Sequence, residues 1–383
     1  MIDKCIKDNC TGCEACSSIC PKQAIEMRCD KEGFRQPYVD YNKCTNCKLC
    51  VNMCPVLNFE NNHETIDNRK TAYAFKTNDE KKRKNSSSGG VFLTLSSYFI
   101  EHNVHVYGAC FNDKYELFHT EAKSVEDLYR LAGSKYLQSR ILSVYQEIKQ
   151  KLESGEKVAF FGMTCQVEGL LSFLKKRYDG LYCVDLICMG IPSPMVWQKY
   201  LDTFFRVEEI KRINFKDKTL GWHRFSFKVD NKDGSSFSNP GFDNYYMECM
   251  FKGFSLRKSC FNCVYKCESK RADITIADCW GCEEYISQLD DNKGLSMIIC
   301  HSDRGSELLR ILSNYGILKE FDYNNVLKFN SNYYKSATER PGRKAFYKLM
   351  NISPRIAFKI MGRNPNNTAY IRLKKYLKKI LRR

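Results

Sequence analysis

Cysteines in two short runs near the N-terminus have the spacing that points most directly to chemistry. The pattern C-x2-C-x2-C-x3-C-P occurs twice, with cysteines Cys10, Cys13, Cys16 and Cys20 before Pro21, and Cys44, Cys47, Cys50 and Cys54 before Pro55. In bacterial ferredoxins the first three cysteines of such a run bind one [4Fe-4S] cluster, and the fourth binds the other. The spacing therefore predicts two ligand sets: Cys10, Cys13, Cys16 with Cys54, and Cys44, Cys47, Cys50 with Cys20. Zinc sites use paired CxxC units instead.

An α+β ferredoxin module of the bacterial two-[4Fe-4S] type is accordingly expected over residues 1–58, as a carrier of single electrons. The chain has 383 residues, which is enough for further domains, and a net charge of +17. It lacks a run of about 20 apolar residues and an apolar N-terminal signal. With 21 cysteines and no secretory signal, metal-binding thiolates in a cytoplasmic protein are expected, rather than disulfides.

Alternating strand and helix patterns over residues 71–335 predict an α/β domain with a mostly parallel or mixed sheet. A polar stretch at residues 59–70 is expected to be a linker. The predicted strands are 72–76, 158–161, 182–187, 224–229, 273–277 and 295–300. The predicted helices are 89–101, 141–153, 167–176, 195–204 and 307–312.

Small residues precede the first of these helices in the segment SSSGG (86–90). Free N–H groups and the helix dipole at such a start favour an anion such as phosphate, although a capped helix after a turn would have the same sequence. The segment FFGMTCQ (160–166) ends a predicted buried strand, and ligands of open α/β sheets bind at the carboxyl ends of strands.

Seven segments in order resemble the coenzyme F-420 hydrogenase/dehydrogenase beta-subunit family of flavin and iron–sulfur proteins. They are SSSGG, GSKYLQS, FFGMTCQVEGL, DLICMGIPSP, FKDKTLGW, LRKSCFNC and RADITIADCWG. The resemblance extends from the N-terminus to about residue 300. It implies an FAD-binding domain beside a [4Fe-4S] cluster.

The resemblance also implies cofactor-binding residues. Ser88, Gly89 and Gly90 would hold the FAD diphosphate, and the residues lining the cofactor would be Gly133, Ser134, Lys135 and Tyr136. Lys135 could balance negative charge on the cofactor, or it could be a solvated surface lysine. Two positions depart from the family: Thr164 stands where a proline usually precedes the cysteine, and Met189 stands where a histidine usually follows one. The second departure puts any imidazole-mediated step there in doubt, and no catalytic residue is assigned.

A third metal site is implied by family cysteines at Cys165, Cys188, Cys260 and Cys263. The spacing of the cysteines alone offers an alternative to this site, because Cys260, Cys263, Cys279 and Cys282 match the pattern of a zinc ribbon. Cys267 could replace a ligand in either arrangement. The remaining cysteines are expected in the core: Cys5, Cys29, Cys110, Cys183, Cys249 and Cys300.

A basic tail is expected at residues 336–383, ending in an amphipathic helix at 369–383. That helix could lie peripherally on the anionic inner face of a membrane, or it could pack on the protein and leave a solvated basic face. Nucleic-acid binding has no supporting motif.

These features predict an enzyme, an FAD- and [4Fe-4S]-dependent oxidoreductase that exchanges electrons with a donor or acceptor protein and a small-molecule substrate that the sequence does not identify. The alternatives are an electron-transfer subunit without its own substrate site, for example in polysaccharide biosynthesis, and an iron–sulfur sensing module at a membrane. Use of the deazaflavin coenzyme is left open.

Overall fold

A computed structural model of the chain describes residues 1–63 and 71–363. Its strands are β1 (Ile25–Cys29), β2 (Arg35–Val39), β3 (Thr71–Thr77), β4 (Val104–Phe111), β5 (Leu117–Ala122), β6 (Lys157–Met163), β7 (Leu181–Leu186), β8 (Ile210–Asp217), β9 (Ser226–Asn231), β10 (Ser236–Pro240), β11 (Ile274–Asp278), β12 (Ser296–Cys300) and β13 (Gly316–Phe321).

The α-helices are α1 (Ile2–Ile6), α2 (Ala15–Ile19), α3 (Leu49–Asn52), α4 (Phe59–His63), α5 (Glu80–Lys84), α6 (Val91–Glu101), α7 (Val125–Leu131), α8 (Val144–Glu153), α9 (Thr164–Leu174), α10 (Pro194–Phe204), α11 (Tyr245–Phe251), α12 (Cys282–Tyr285), α13 (Asp303–Ser313), α14 (Asn324–Phe329), α15 (Arg343–Ile352) and α16 (Pro354–Met361).

The N-terminal module is a small ferredoxin-like α+β unit. Strands β1 and β2 pair antiparallel, and the short helices α2 and α3 contact each other. Its core combines aliphatic side chains from α1, β1 and β2 with cysteines of both runs: Ile2, Ile6, Met27, Val39, Cys10, Cys16, Cys50 and Cys54. A core this small has little apolar area to bury, so bound clusters would add to its stability.

A mixed sheet of eight strands forms the centre of the larger domain, in the order β13-β3-β12-β11-β7-β6-β4-β5. Strands β11, β7, β6 and β4 are parallel to one another, and the remaining neighbours pair antiparallel. The parallel strands β6 (KVAFFGM) and β7 (LYCVDL) are almost continuously apolar and buried, as expected for strands covered on both faces. Of the two predicted sheet types, the mixed one is present.

The elements predicted from sequence are present within a few residues, with one difference in placement. The strand predicted at 224–229 corresponds to β9, which belongs to a separate three-stranded sheet, β10-β9-β8. In the larger domain, β4, β5, β8, β10 and β13 have no counterpart among the predicted strands, although β4 and β5 complete one side of the main sheet.

The C-terminal part of the described chain packs on the larger domain. Phe346 and Met350 of α15 and Phe358 of α16 are fully buried, in a group with Trp197 and Tyr246. Residues 343–361 are therefore part of the folded body, although the sequence predicts a tail from 336. The predicted amphipathic helix at 369–383 lies outside the described residues.

Helix α4 occupies the first half of the predicted linker, and Phe59 packs against the ring of Tyr265 at 5.7 Å. Residues 64–70 of that linker are outside the described ranges. Within residues 1–63 and 71–363, every helix is too short or too polar to span a lipid bilayer. The prediction of core positions for Cys5 and Cys29 is wrong, because both are exposed. Cys110, Cys183, Cys249 and Cys300 are buried as predicted.

Candidate iron–sulfur and cofactor sites

The four cysteines of the first predicted cluster lie together in the module. Burial is the main cause that raises the pKa of Cys16. The neighbouring thiols of Cys13, Cys10 and Cys54 raise this pKa further. Such crowding of buried thiols is unfavourable for thiolates unless a cation neutralises them. A cluster bound by these residues would supply that charge.

The four cysteines of the second predicted cluster surround a small cavity. It is lined by Cys20, Cys44, Cys47 and Cys50 together with apolar residues such as Ile25 and Val39. The two cysteine groups lie near each other, since Cys50 of the second group raises the pKa of Cys16 and of Cys54 in the first group. The structure thus brings both predicted ligand sets together.

Cys165, Cys188, Cys260 and Cys263 line one further cavity. Cys165 follows β6, and Cys188 lies two residues beyond β7, so both stand at the carboxyl ends of parallel strands. Two backbone N–H groups donate to sulfur, from Gly190 to Cys188 at 3.2 Å and from Ile191 to Cys260 at 3.3 Å. Four thiols with N–H donors to sulfur are a donor set that suits an iron–sulfur cluster.

The zinc-ribbon alternative requires Cys279 and Cys282 to join Cys260 and Cys263. In the structure neither Cys279 nor Cys282 lines the four-cysteine cavity. Both are fully buried in another apolar group, with Trp222 and Leu289. Cys267 is also absent from the cavity wall, and its thiol donates to the carbonyl of Ser269.

A much larger cavity, of about 490 Å³, adjoins the four cysteines. Its size is in the range of small-molecule and cofactor sites. The residues predicted from the family resemblance line it, namely Ser88, Gly90, Gly133, Ser134, Lys135 and Tyr136. Gly90 adopts a left-handed φ of 103° and caps α6, and Gly133 would point a Cβ into open space.

Gly89 is the predicted cofactor residue that the cavity wall lacks. A Cβ on Gly89 would lie 2.0 Å from the carbonyl oxygen of Phe75, and its N–H donates to Ser296 Oγ at 2.9 Å. Gly89 therefore seats the loop on strands β3 and β12. Its two neighbours, Ser88 and Gly90, face the cavity.

Lys135 lines the cavity, and its ammonium is held by backbone carbonyls. Its ammonium donates to the carbonyl oxygens of Leu131 and Ala132 at 2.8 and 2.9 Å, at the end of α7. Burial lowers the pKa of Lys135 to about 8. The half-buried side chain is thus held at the end of α7, where it lines the cavity.

Residues that the sequence did not single out complete the wall. His119 on β5 donates through Nε2 to the carbonyl of Phe161 at 3.1 Å, and its buried Nδ1 has no hydrogen-bond partner among the described residues. Lys216 pairs with Asp278 at 2.5 Å, and its ammonium lies 4.9 Å from the centre of the Trp280 ring. Lys216, Asp278 and Trp280 fall within the segments FKDKTLGW and RADITIADCWG, but neither segment gave them a role, and no segment contains His119.

The two cavities share a wall. Met163, Ile187, Cys188, Gly190 and Ile191 line both the four-cysteine cavity and the larger one. An electron on a cluster held by Cys188 would therefore be adjacent to any molecule bound in the larger cavity.

Two buried arginines attach the N-terminal module to the larger domain. Arg257 donates to the carbonyls of Cys10 at 2.5 Å and Arg35 at 2.8 Å. Arg343 forms a two-pronged ion pair with Glu32 and also donates to Leu256 O. The module is thus held with its first cysteine group against the body.

These sites define an iron–sulfur electron-transfer protein related to oxidoreductases: residues 9–58 match the model of the 4Fe-4S dicluster domain. Residues 155–325 match the model of a family described as the C terminus of the coenzyme F420 hydrogenase/dehydrogenase beta subunit. The match confirms the resemblance of the sequence segments to that family over residues 155–325, beside a dicluster domain near the N-terminus.

A curated relative is the coenzyme F420-dependent sulfite reductase of Methanocaldococcus jannaschii, 26% identical over 227 residues. The match covers 57% of this chain and 34% of the relative, so this chain spans about a third of that protein. A solved structure of the F420-reducing [NiFe] hydrogenase complex from Methanosarcina barkeri aligns with a TM-score of 0.46 and 16% identity. That alignment covers 77% of this chain and 92% of the other.

Proposed function

We propose that the chain is an oxidoreductase that passes electrons between three [4Fe-4S] clusters and an FAD bound in the large cavity, where a substrate is reduced or oxidised. The observation that carries the proposal is the wall shared by the four-cysteine cavity and the large cavity, with Cys188 in both. Bound there, FAD would exchange electrons singly with the clusters and in pairs with a substrate.

The residues that line the large cavity suit a flavin nucleotide. The α6 N-terminus, with Ser88 and Gly90, offers N–H groups and a positive dipole end to a diphosphate. The orphan Nδ1 of His119 is a buried polar atom that a bound polar ring could satisfy. Aromatic side chains of Tyr136 and Trp280 supply the apolar surface that a flavin ring requires.

The order of the three proposed clusters follows from which cysteines lie near enough to influence one another electrostatically. The Cys20/Cys44/Cys47/Cys50 group adjoins the Cys10/Cys13/Cys16/Cys54 group through Cys50. The latter adjoins the third group, because Cys13 is among the charges that raise the pKa of the buried Cys165. Electrons would pass from the module surface through these groups to the large cavity.

Anaerobic reconstitution tests the proposal. The holoprotein should hold about twelve iron atoms and about one flavin per chain, since each of three clusters has four irons. Dithionite should bleach the flavin and cluster absorption together. About eight irons without flavin would contradict both the third cluster and the FAD site.

A second candidate is an electron-transfer subunit that delivers electrons to a catalytic partner. It is favoured by the match to about a third of a larger reductase. The discriminating measurement is turnover by the isolated holoprotein, supplied with reduced ferredoxin and candidate acceptors such as the deazaflavin coenzyme or sulfite. Turnover supports an enzyme with its own substrate site. Reduction of cofactors without turnover supports the subunit role.

A further inference from the structure

Four potential metal ligands meet outside the three cavities described above. The ligand atoms of His223, Cys282, Glu283 and Asp290 all lie within 4.8 Å of one another. None of the four residues lines the four-cysteine cavity or the large cavity. They come from three separate segments: the loop after β8, the start of α12 and the turn before β12.

Asn292 holds two of these segments together without any metal. Its side-chain oxygen accepts the N–H of His223 at 3.0 Å, and its backbone carbonyl accepts the N–H of Trp222 at 2.8 Å. The N–H of Asn292 in turn donates to Asp290 Oδ1 at 3.0 Å. His223 Nε2 lies 2.8 Å from Asp290 Oδ2. The imidazole and the carboxylate are therefore positioned by the loops that carry them.

The third segment brings a buried thiol to the same point. Cys282 is completely buried and begins α12, directly after Gly281, which turns the chain with a φ of 74°. The sulfur of Cys282 lies 3.8 Å from Glu283 Oε2, and both lie within 4.8 Å of the ligand atoms of His223 and Asp290. The site thus concentrates negative groups around one histidine, an arrangement that a divalent cation would stabilise.

We propose that His223, Cys282, Glu283 and Asp290 bind one zinc ion. A thiolate, an imidazole and two carboxylates are the mixed sulfur, nitrogen and oxygen donors that zinc accepts, whereas Mg²⁺ and Ca²⁺ take oxygen donors only. Tetrahedral zinc places its ligand atoms roughly 3.3–3.6 Å apart. Small side-chain rotations would bring the four groups from their present separations to those distances.

The zinc would fix a wall of the large cavity. The segment between β11 and α12 carries Trp280, which stacks on Trp222 with ring centres 5.0 Å apart and planes inclined by 3°. Trp222 also donates through Nε1 to Asp278 at 3.2 Å. Since Trp222 is followed by His223, and Trp280 is two residues before Cys282, the metal ties both tryptophans in place. This site is independent of whether the cavity binds FAD.

Zinc-edge X-ray absorption on anaerobically purified holoprotein, expressed with added zinc, tests the site directly. The expected result is about one zinc per chain in addition to iron, with one sulfur and three nitrogen or oxygen neighbours. A shell of four sulfurs would assign the zinc to the cluster cysteines and overturn the proposal. A zinc-free holoprotein would overturn it as well.

Variants provide the second arm of the test. His223→Ala and Cys282→Ser should each lower bound zinc at least about tenfold and leave iron unchanged. The matched controls are His102→Ala, at an exposed histidine on another element, and Cys249→Ser, at a buried cysteine in a different core group. Both should keep their zinc. If Cys282→Ser does not fold, His223→Ala and the wild-type spectrum still decide, because full zinc in His223→Ala excludes the site.

Discussion

Gly169 of α9 lies directly on Cys13 of the N-terminal module. A Cβ on Gly169 would be 3.0 Å from Cys13 Cβ and 3.2 Å from its sulfur, and 2.7 Å from the hydroxyl of Tyr145. The helix that begins with the Thr164–Cys165 pair therefore approaches the module as closely as its backbone allows. Only glycine permits this contact between the first cysteine group and the helix that carries Cys165.

Gly169→Ala should weaken the contact between module and body. Because the added methyl group would force Cys13 or Tyr145 to move, we expect a loss of about 1–3 kcal/mol in the free energy of unfolding. Electron transfer from the module to the proposed third cluster should slow, which rapid-mixing absorption spectroscopy with reduced ferredoxin can measure. The control is Ser172→Ala on the same helix, which removes a hydroxyl that has no hydrogen-bond partner in the described part of the chain. Equal rates in the two variants would contradict the close-contact route.

Arg257→Ala should weaken the attachment of the module to the larger domain far more than removal of a surface ion pair would. Arg257 is buried and donates to Cys10, Arg35 and Gln138. Removing a charged donor from buried acceptors costs about 1.5–3 kcal/mol for each bond. We expect a clearly lower thermal midpoint and partial loss of iron from the purified protein.

The neighbouring Lys258→Ala is the control for Arg257. Lys258 also joins the module to the body, through Asp8 at 3.2 Å, but both side chains are at least half exposed. Exposed pairs contribute about 0–1 kcal/mol. A midpoint shift as large in Lys258→Ala as in Arg257→Ala would show that general charge loss, and not the buried hydrogen bonds, is responsible.

The ferredoxin-like module could be predicted from sequence because its ligands lie within two short runs of fixed spacing. The grouping of Cys165 and Cys188 with Cys260 and Cys263 needed the family resemblance, since these residues meet only through the order of strands in the sheet. His119 and Lys216 could not be found for the same reason. The position of β9 was missed because a strand pattern does not specify the sheet to which the strand belongs.

Acid should destabilise the protein in part through His119. Burial lowers the pKa of His119 to about 4, below its value of about 6.5 in an unfolded chain. Between these values the unfolded chain binds a proton that the folded chain does not, so stability is complete above pH 6.5 and falls as the pH drops towards 4. His119→Gln should reduce this decline by on the order of 2 kcal/mol.

Urea unfolding of the holoprotein at pH 7 and pH 5 measures that effect. His301, whose pKa burial lowers to about 3, retains its contribution in the His119→Gln variant, so the decline should shrink without vanishing. An unchanged decline would mean that His119 is already protonated or solvated in the folded protein.

Cys188→Ser should remove the proposed third cluster alone. Cys188 lines the four-cysteine cavity and the large cavity, whereas Cys183 of β7 is buried in the core away from both. The expected result is a loss of about four of about twelve irons, with the two module clusters intact by electron paramagnetic resonance. Cys183→Ser, the matched control, should keep all its iron and lose only packing stability.

Reduced ferredoxin should still reduce the module clusters of Cys188→Ser but should no longer reduce the flavin. Flavin reduction at the wild-type rate would mean that electrons reach the large cavity without passing Cys188.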